Sequence, residues 1–485
     1  MKESPPRSTL GILFAAMCIA LGLFVNAWEL GEEALWLDEH ASLDFAGFSS
    51  EKCVTAEAQH PPLYRTMLWV HIRLFGSDDD AVLRIPSLLF ATAAAIGTWL
   101  LARRIDARRE GSAAAPIAVL LISFSPFLHY YAQEGRNYAL LIALSALSTL
   151  AFHRVVTERR GHALYGVLSV LLAMTHYFGA CVLLVHELAY WRHGRERIRS
   201  WLLVRTVSAL CVVPWVLWLT QNLEMQPRDW IGSMTHTLPA SITRLFLGYG
   251  VVTGGSELGQ PPYDFEKVLQ FLVPGLLVLP FLALAFRGAR SLQGLDRTLT
   301  LGPVVLTLLL LLPLTLKANY LTDRYLGFFV PFLLLLVAHG VVGLRGRMRV
   351  GATVAVSGIT ALSIACYLLA PGHLLGYPLR YSKEQWDDAA SFAQSHDVDR
   401  VRSVIDYTRN VFTRYYEGDQ VYGVPIDALD DEVPESVRTE ALVISHLDPE
   451  PIEESIRLWL TRFELVERMD FPAHSGVKVL IGTRR

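Results

Sequence analysis

The chain has 485 residues, 52% of them hydrophobic and 18% charged, with a mean hydropathy of +0.34 and a formal net charge of −3. Soluble domains carry about a quarter charged residues, so a soluble globular protein of this length is excluded. The charge balance offers no basic face for a nucleic-acid partner, and four of the five cysteines (Cys18, Cys181, Cys211 and Cys366) lie in apolar runs, which rules out a disulfide framework.

A helix that crosses a bilayer needs about 20 mainly apolar residues. Runs of that kind lie at about 9–28, 82–102, 114–131, 138–156, 201–220, 266–286, 298–316, 325–344 and 350–370. One further apolar stretch, 162–191, is too long for one upright helix and short for two, and a polar break at Thr175-His176-Tyr177 divides it. Basic residues gather in cytoplasmic loops. The clusters Lys2/Arg7, Arg103/Arg104/Arg108/Arg109, Arg154/Arg159/Arg160, Arg192/Arg195/Arg197/Arg199, Arg287/Arg290/Arg297 and Arg345/Arg347/Arg349 fall on alternate connections if 162–191 crosses twice. The expectation is an α-helical polytopic membrane protein with about eleven spans, in a plasma or inner membrane. Its N-terminus is inside and its C-terminal tail outside. Residues 1–28 do not read as a cleavable signal, because the apolar core is too long and no small-residue cleavage site follows.

Two domains are expected, a membrane domain over 1–377 and a soluble extracytoplasmic α/β domain over 378–485. The outer loop 29–81 belongs to the first and contains an interfacial helix from His60 to Phe75. In the tail, Ser403–Tyr407, Ala441–Ser445 and Val477–Gly482 read as strands, and Ser382–Ser395, Thr408–Tyr416 and Pro449–Phe463 as helices. The tail holds 21 acidic and 13 basic side chains.

Ionisable groups near a membrane span are costly and mark function by default. Here they collect at the outer ends of spans, which suits an active site at the outer membrane surface with the tail as its cap. Asp38 and Glu39, just past the first span, are candidate catalytic carboxylates, or an acidic surface loop with Glu29, Glu32 and Glu33. His60, in His60-Pro61-Pro62-Leu63-Tyr64, reads as a substrate contact or a helix-entry residue. Arg136, in Gln133-Glu134-Gly135-Arg136-Asn137-Tyr138, has the planar fork that suits phosphate, or it pairs with Glu134. His176 and Tyr177 sit at a hairpin turn. Lys317, Asp323, Arg324 and Tyr325 flank the tenth span, where the cations either meet an anion or snorkel to headgroups.

Four other features carry less. Asp78-Asp79-Asp80 reads as a helix cap, and the Gly-rich 250–260 segment lacks the lysine of a phosphate loop. His186 and Glu187 read as a buried hydrogen-bonded pair. A divalent cation on Asp38, Glu39, His40 and His60 stays open as a minor alternative, because no strong ligand spacing is present.

Taken in order, Trp-x-Asp-Glu (36–39), His-Pro-Pro-Leu-Tyr (60–64), Leu-Arg-Ile-Pro-Ser (83–87) and Ser-Pro-Phe-x-x-Tyr-Tyr-Ala-Gln-Glu-x-Arg-x-Tyr-Ala-Leu (125–140) resemble the integral-membrane GT-C glycosyltransferases. The likeness is to the bacterial mannosyltransferase-like branch, akin to protein O-mannosyltransferases and the lipid A aminoarabinose transferase. The Thr-His-Tyr-Phe-Gly hairpin and the Asp-Arg-Tyr-Leu entry to the tenth span are similar to it as well. The resemblance implies a polyprenyl-phosphate-linked sugar donor, a glycan, lipid or protein acceptor, and transfer on the extracytoplasmic face. Asp38 would match the catalytic acidic residue of the first outer loop, with Glu39 beside it. His60, Arg136, Arg324 and Tyr325 match substrate-binding positions, and Tyr138, His176, Tyr177 and Lys317 join them as candidates. Gly135 and Gly327 depart from the pattern. The mechanism expected is inverting, with Asp38 as general base. The competing class is a transporter or a flippase of lipid-linked sugar, which predicts midplane ionisable groups and related halves.

Overall fold

The structure, a computed structural model, describes residues 7–47, 49–55, 57–109, 113–194, 198–222, 237–251, 265–315, 322–369, 373–374, 377–378, 383–447, 449–471 and 476–485. The chain divides into two compact units. One comprises residues 1–30, 45–78 and 82–380, and the other residues 31–44, 79–81 and 381–485.

The first unit is helical. Among the described residues, eight helices are long and apolar enough to cross a membrane, from Thr9–Ala27 to Gly346–Leu368. Ala114–Ser123 and Pro126–Ala132 make a ninth if the bent pair is one span, with a 46° bend between them. The bend has a local cause. Pro126 has no N–H to continue the helix, and Ser125 turns extended (φ −64°, ψ 119°) so that its Oγ accepts the Leu128 N–H at 3.3 Å. The 162–191 stretch does form two helices, His162–Ala173 and Gly179–His193, but at 12 and 15 residues both are shorter than a full upright span. Gly179 lets the hairpin close, since a Cβ there would sit 2.8 Å from the Leu172 carbonyl oxygen.

Helices Phe265–Ser291 and Val330–Val342 cross at glycines. A Cβ on Gly288 would collide with the Leu336 carbonyl, and one on Gly340 with the Leu284 carbonyl. Small residues at such a crossing let two backbones approach inside lipid, where packing rather than water expulsion drives association.

Two short strands, β1 (His373–Leu374) and β2 (Tyr377–Pro378), pair antiparallel before the second unit. That unit holds a five-stranded sheet of β3 (Arg400–Val404), β4 (Val421–Val424), β5 (Thr439–Ile444), β6 (Phe463–Phe471) and β7 (Val477–Arg484), in the order β4-β3-β5-β7-β6. β3 runs parallel to both β4 and β5, with Ser403 opposite Gly423 and Val443, whereas β7 is antiparallel to β5 and β6. Alternation along β5 sends Val443 to one face, with Trp386, Phe412 and Val479, and Leu442 to the other, with Trp459, Phe463 and Leu480.

The three expected tail strands and three tail helices are present. β3 stops at Val404 because Ile405 turns to φ +76°, and the following helix, Asp406–Tyr415, starts two residues earlier than expected. β4 and β6 were not anticipated. Residues 31–44, assigned from sequence to the membrane domain, pack with the tail, where Ala34 and Leu37 join the core around Trp386.

Candidate active site

In the helical unit, the loop before helix Leu63–Phe75 is tied down by one buried guanidinium. Arg65 donates from Nε to the Cys53 carbonyl (2.6 Å), from Nη1 to Glu57 Oε1 (3.0 Å) and the His60 carbonyl (3.1 Å), and from Nη2 to the carbonyls of Val54 (2.7 Å) and Glu57 (3.1 Å). Every donor of its planar fork is used, so Arg65 fixes the loop and does not contact substrate. Glu57 Oε1 also lies 3.4 Å from His60 Nδ1. Burial alone would raise the Glu57 pKa; the hydrogen bond and charge of His60, with the cations of Arg136 and Arg65, outweigh it and bring it down to about 2.

Three more connections meet this loop. The Leu63 N–H donates to the Met174 carbonyl (3.1 Å), Tyr177 Oη to the Ala58 carbonyl (2.7 Å), and Asn137 Nδ2 to the Thr175 carbonyl (3.0 Å). The His176 ring is 5.4 Å from both His60 and Tyr325, and 6.3 Å from Tyr138. Burial, then the charges of His60, Arg136 and Arg324, hold the His176 imidazole well below its usual pKa, so it is neutral. The Arg324 guanidinium stands 5.5 Å from the Tyr325 ring centre. His60, Arg136, Tyr138, His176, Tyr177, Arg324 and Tyr325, all singled out from sequence, thus sit in one neighbourhood. Arg136 is only 7% exposed.

Sequence reasoning named Asp323 but missed the residues that hold it. Asp323 Oδ2 accepts from Tyr249 Oη at 2.5 Å and from Arg244 Nη1 at 3.2 Å, while Tyr249 Oη is 2.7 Å from Tyr131 Oη. The Tyr131 ring in turn packs 5.1 Å from Tyr138. Asp323 is therefore occupied in orienting the turn that carries Arg324. Of the missed residues, Glu57 stands in the loop before helix Leu63–Phe75, Arg65 was concealed in that helix, which reads as merely amphipathic, and Tyr249 lies at the edge of a Gly-rich segment.

In the second unit, Asp38 and Glu39 open helix Leu37–Gly47 and part ways. Glu39 is fully buried, with Oε2 3.2 Å from Lys383 Nζ and 3.4 Å from the Trp36 N–H. Asp38 is half-buried, and His40 faces Asp44 at 3.3 Å. Asp80 lies in the first turn of helix Asp80–Asp106 and also accepts from Arg414 (2.8 Å) and Tyr415 Oη (2.6 Å). His186 and Glu187 are not each other's partners. His186 meets Thr149 and Tyr165, whereas Glu187 meets Trp201 and Arg205, because adjacent helical residues point to different faces. Lys317 lies outside the described residues. Among those described, no three His, Cys, Asp or Glu side chains group as a metal site.

Residues 59–218 match the family model described as dolichyl-phosphate-mannose-protein mannosyltransferase. Among proteins of curated function, none is similar enough in sequence to count as a relative. Solved structures are similar over nearly the whole chain. ArnT from Cupriavidus metallidurans in the apo state aligns with a TM-score of 0.59 at 14% identity, covering 98% of this chain and 98% of that one. The same enzyme bound to undecaprenyl phosphate gives 0.57 at 14%, covering 96% and 97%. The archaeal oligosaccharyltransferase AglB from Archaeoglobus fulgidus, in complex with an inhibitory peptide and a dolichol-phosphate, gives 0.53 at 12%, covering 90% and 70%. The chain has the GT-C fold. The GT-C resemblance read from its motifs is borne out, and the protein is a multi-pass membrane protein whose structural neighbours are glycosyltransferases.

Proposed function

We propose that this GT-C protein transfers a sugar, a hexose or pentose, from a polyprenyl-phosphate donor to an acceptor hydroxyl at the extracytoplasmic face, with inversion. The observation that carries the proposal is the gathering of Arg136, Arg324, neutral His176 and Tyr325 about one end of the helical unit, on the fold that ArnT uses to bind undecaprenyl phosphate. The basic clusters on alternate connections support an inside N-terminus and, with it, an extracytoplasmic location for this group of residues.

In the step proposed, the acceptor oxygen bonds to the anomeric carbon as the carbon–oxygen bond to phosphate breaks. The bonding pair leaves on polyprenyl phosphate, an anion of low basicity that needs no general acid. The acceptor proton passes to the Asp38 carboxylate. Arg136 and Arg324 stabilise charge growing on the phosphate, as preorganised donors do in a water-poor site. Glu39, buried against Lys383, positions helix Leu37–Gly47 and takes no proton. His60, Tyr138 and Tyr177 line the sugar-phosphate contact.

The test incubates membranes containing the chain with radiolabelled polyprenyl-phosphate sugars and an acceptor-bearing envelope extract. Release of polyprenyl phosphate in proportion to label on acceptor supports transfer. Label that crosses the bilayer still joined to its lipid identifies a flippase and ends the proposal.

A further inference from the structure

We propose that the carboxyl edge of the tail sheet, around Glu384, Tyr407, Ser445 and His446, is a saccharide-binding site. Three observations converge on it. The first is topological. From β3 the chain passes through helix Asp406–Tyr415 to β4 on one side, then crosses to β5 on the other, so the strand order reverses beside β3. In open sheets with parallel strands, ligands bind outside the carboxyl ends at such a reversal.

The second is backbone geometry. Ile405, one step beyond the end of β3, and His446, two steps beyond the end of β5, both take positive φ, +76° and +57°. A β-branched residue in that region is held there by its surroundings at a cost of about 1–3 kcal/mol, and such strain gathers at ligand sites.

The third is chemical. Ser445 Oγ lies 3.0 Å from His446 Nδ1, and His446 Nε2 lies 3.5 Å from Glu384 Oε1. Glu384 is 2% exposed, and its other oxygen, Oε2, has no hydrogen-bond partner among the described residues. A buried carboxylate oxygen with no donor is costly and calls for one from a ligand. The Tyr407 ring stands 6.3 Å from His446 and is 47% exposed.

These groups select the ligand. Glu384 and the exposed Asp406 offer acceptors and repel phosphate, so the occupant must bring hydroxyl donors. Tyr407 offers an aromatic face suited to the C–H surface of a sugar ring. The Ser445 hydroxyl is engaged with His446 Nδ1, which makes it a support for the His446 ring. Assigning this site to the acceptor's own sugar rests on the glycosyl-transfer reading; saccharide binding itself does not.

The experiment follows hydrogen exchange in the full chain in lipid nanodiscs, with methyl glycosides of glucose, mannose and galactose, and with inorganic phosphate for comparison. At a glycoside concentration ten times its Kd, amides at 405–408 and 445–447 should exchange about tenfold more slowly. Y407A, at an exposed position, and E384Q should each lose that protection. The inference is overturned if no glycoside protects the edge, if phosphate does so instead, or if protection persists in both variants. Release of polyprenyl phosphate is read on the same preparation. Protection without release keeps the saccharide site and removes the transferase reading, and release without protection does the reverse.

Discussion

Lys383 Nζ lies 3.2 Å from Glu39 Oε2, with both side chains buried and 344 positions apart in sequence. Two charges removed from water hold together only as a pair. K383M strands the Glu39 carboxylate and is expected to cost about 3–5 kcal/mol, read as a lower melting temperature of the purified protein. The double variant K383M/E39Q should recover much of that loss. An unchanged melting temperature in K383M would deny the pair its role.

Asp38 is the neighbour that the pair holds in place. A well-placed base contributes about 10²–10⁴ in rate, so D38N should lose turnover by that factor while its melting temperature stays at the wild-type value. Equal loss of fold and activity would make Asp38 a structural residue like Glu39.

Arg136 is expected to act on the donor. R136Q should weaken donor binding about 10- to 100-fold, the worth of a charge-assisted hydrogen bond, seen as a raised KM for the polyprenyl-phosphate sugar. A donor KM unaltered in R136Q would place the phosphate elsewhere.

Glu57 gives the fold a pH dependence of known sign. Its pKa is lowered from 4.5 to about 2, so the stability it contributes is complete above pH 4.5 and is lost as pH falls through 2. The shift corresponds to about 3 kcal/mol. E57Q should melt lower at neutral pH, and its difference from wild type should shrink steadily between pH 4.5 and 2. A difference that does not change with pH contradicts the assignment.

The glycine crossing predicts a contrast between two alanines. G340A drives a methyl group onto the Leu284 carbonyl and should cost about 1–3 kcal/mol as overpacking. G358A, whose Cβ would meet open space in helix Gly346–Leu368, should be neutral or gain up to about 1 kcal/mol. Equal melting temperatures for the two would mean the helices do not cross there.

What the sequence revealed follows from the length scale of each signal. Spans are legible because lipid demands a long apolar run, and the break at Thr175-His176-Tyr177 showed because it interrupts one. β6 stayed hidden because Glu464 to Asp470 are all exposed, leaving no alternation to read. β4 has only four residues. Arg65 looked like the polar face of an interfacial helix until its five donors met acceptors from residues 53–60. The separation of Glu39 from Asp38 depends on Lys383, and no local pattern joins positions so far apart. Ile405 and His446 carry no compositional mark of positive φ, since residues of any type stand there only when the fold compels them.

The most direct test of the account is the anomeric configuration of the transferred sugar. With a polyprenyl-phosphate donor of known configuration, the wild-type protein should yield a product of opposite configuration and one polyprenyl phosphate per sugar moved, as a single displacement requires. A product of retained configuration, or a donor recovered intact, would contradict the account.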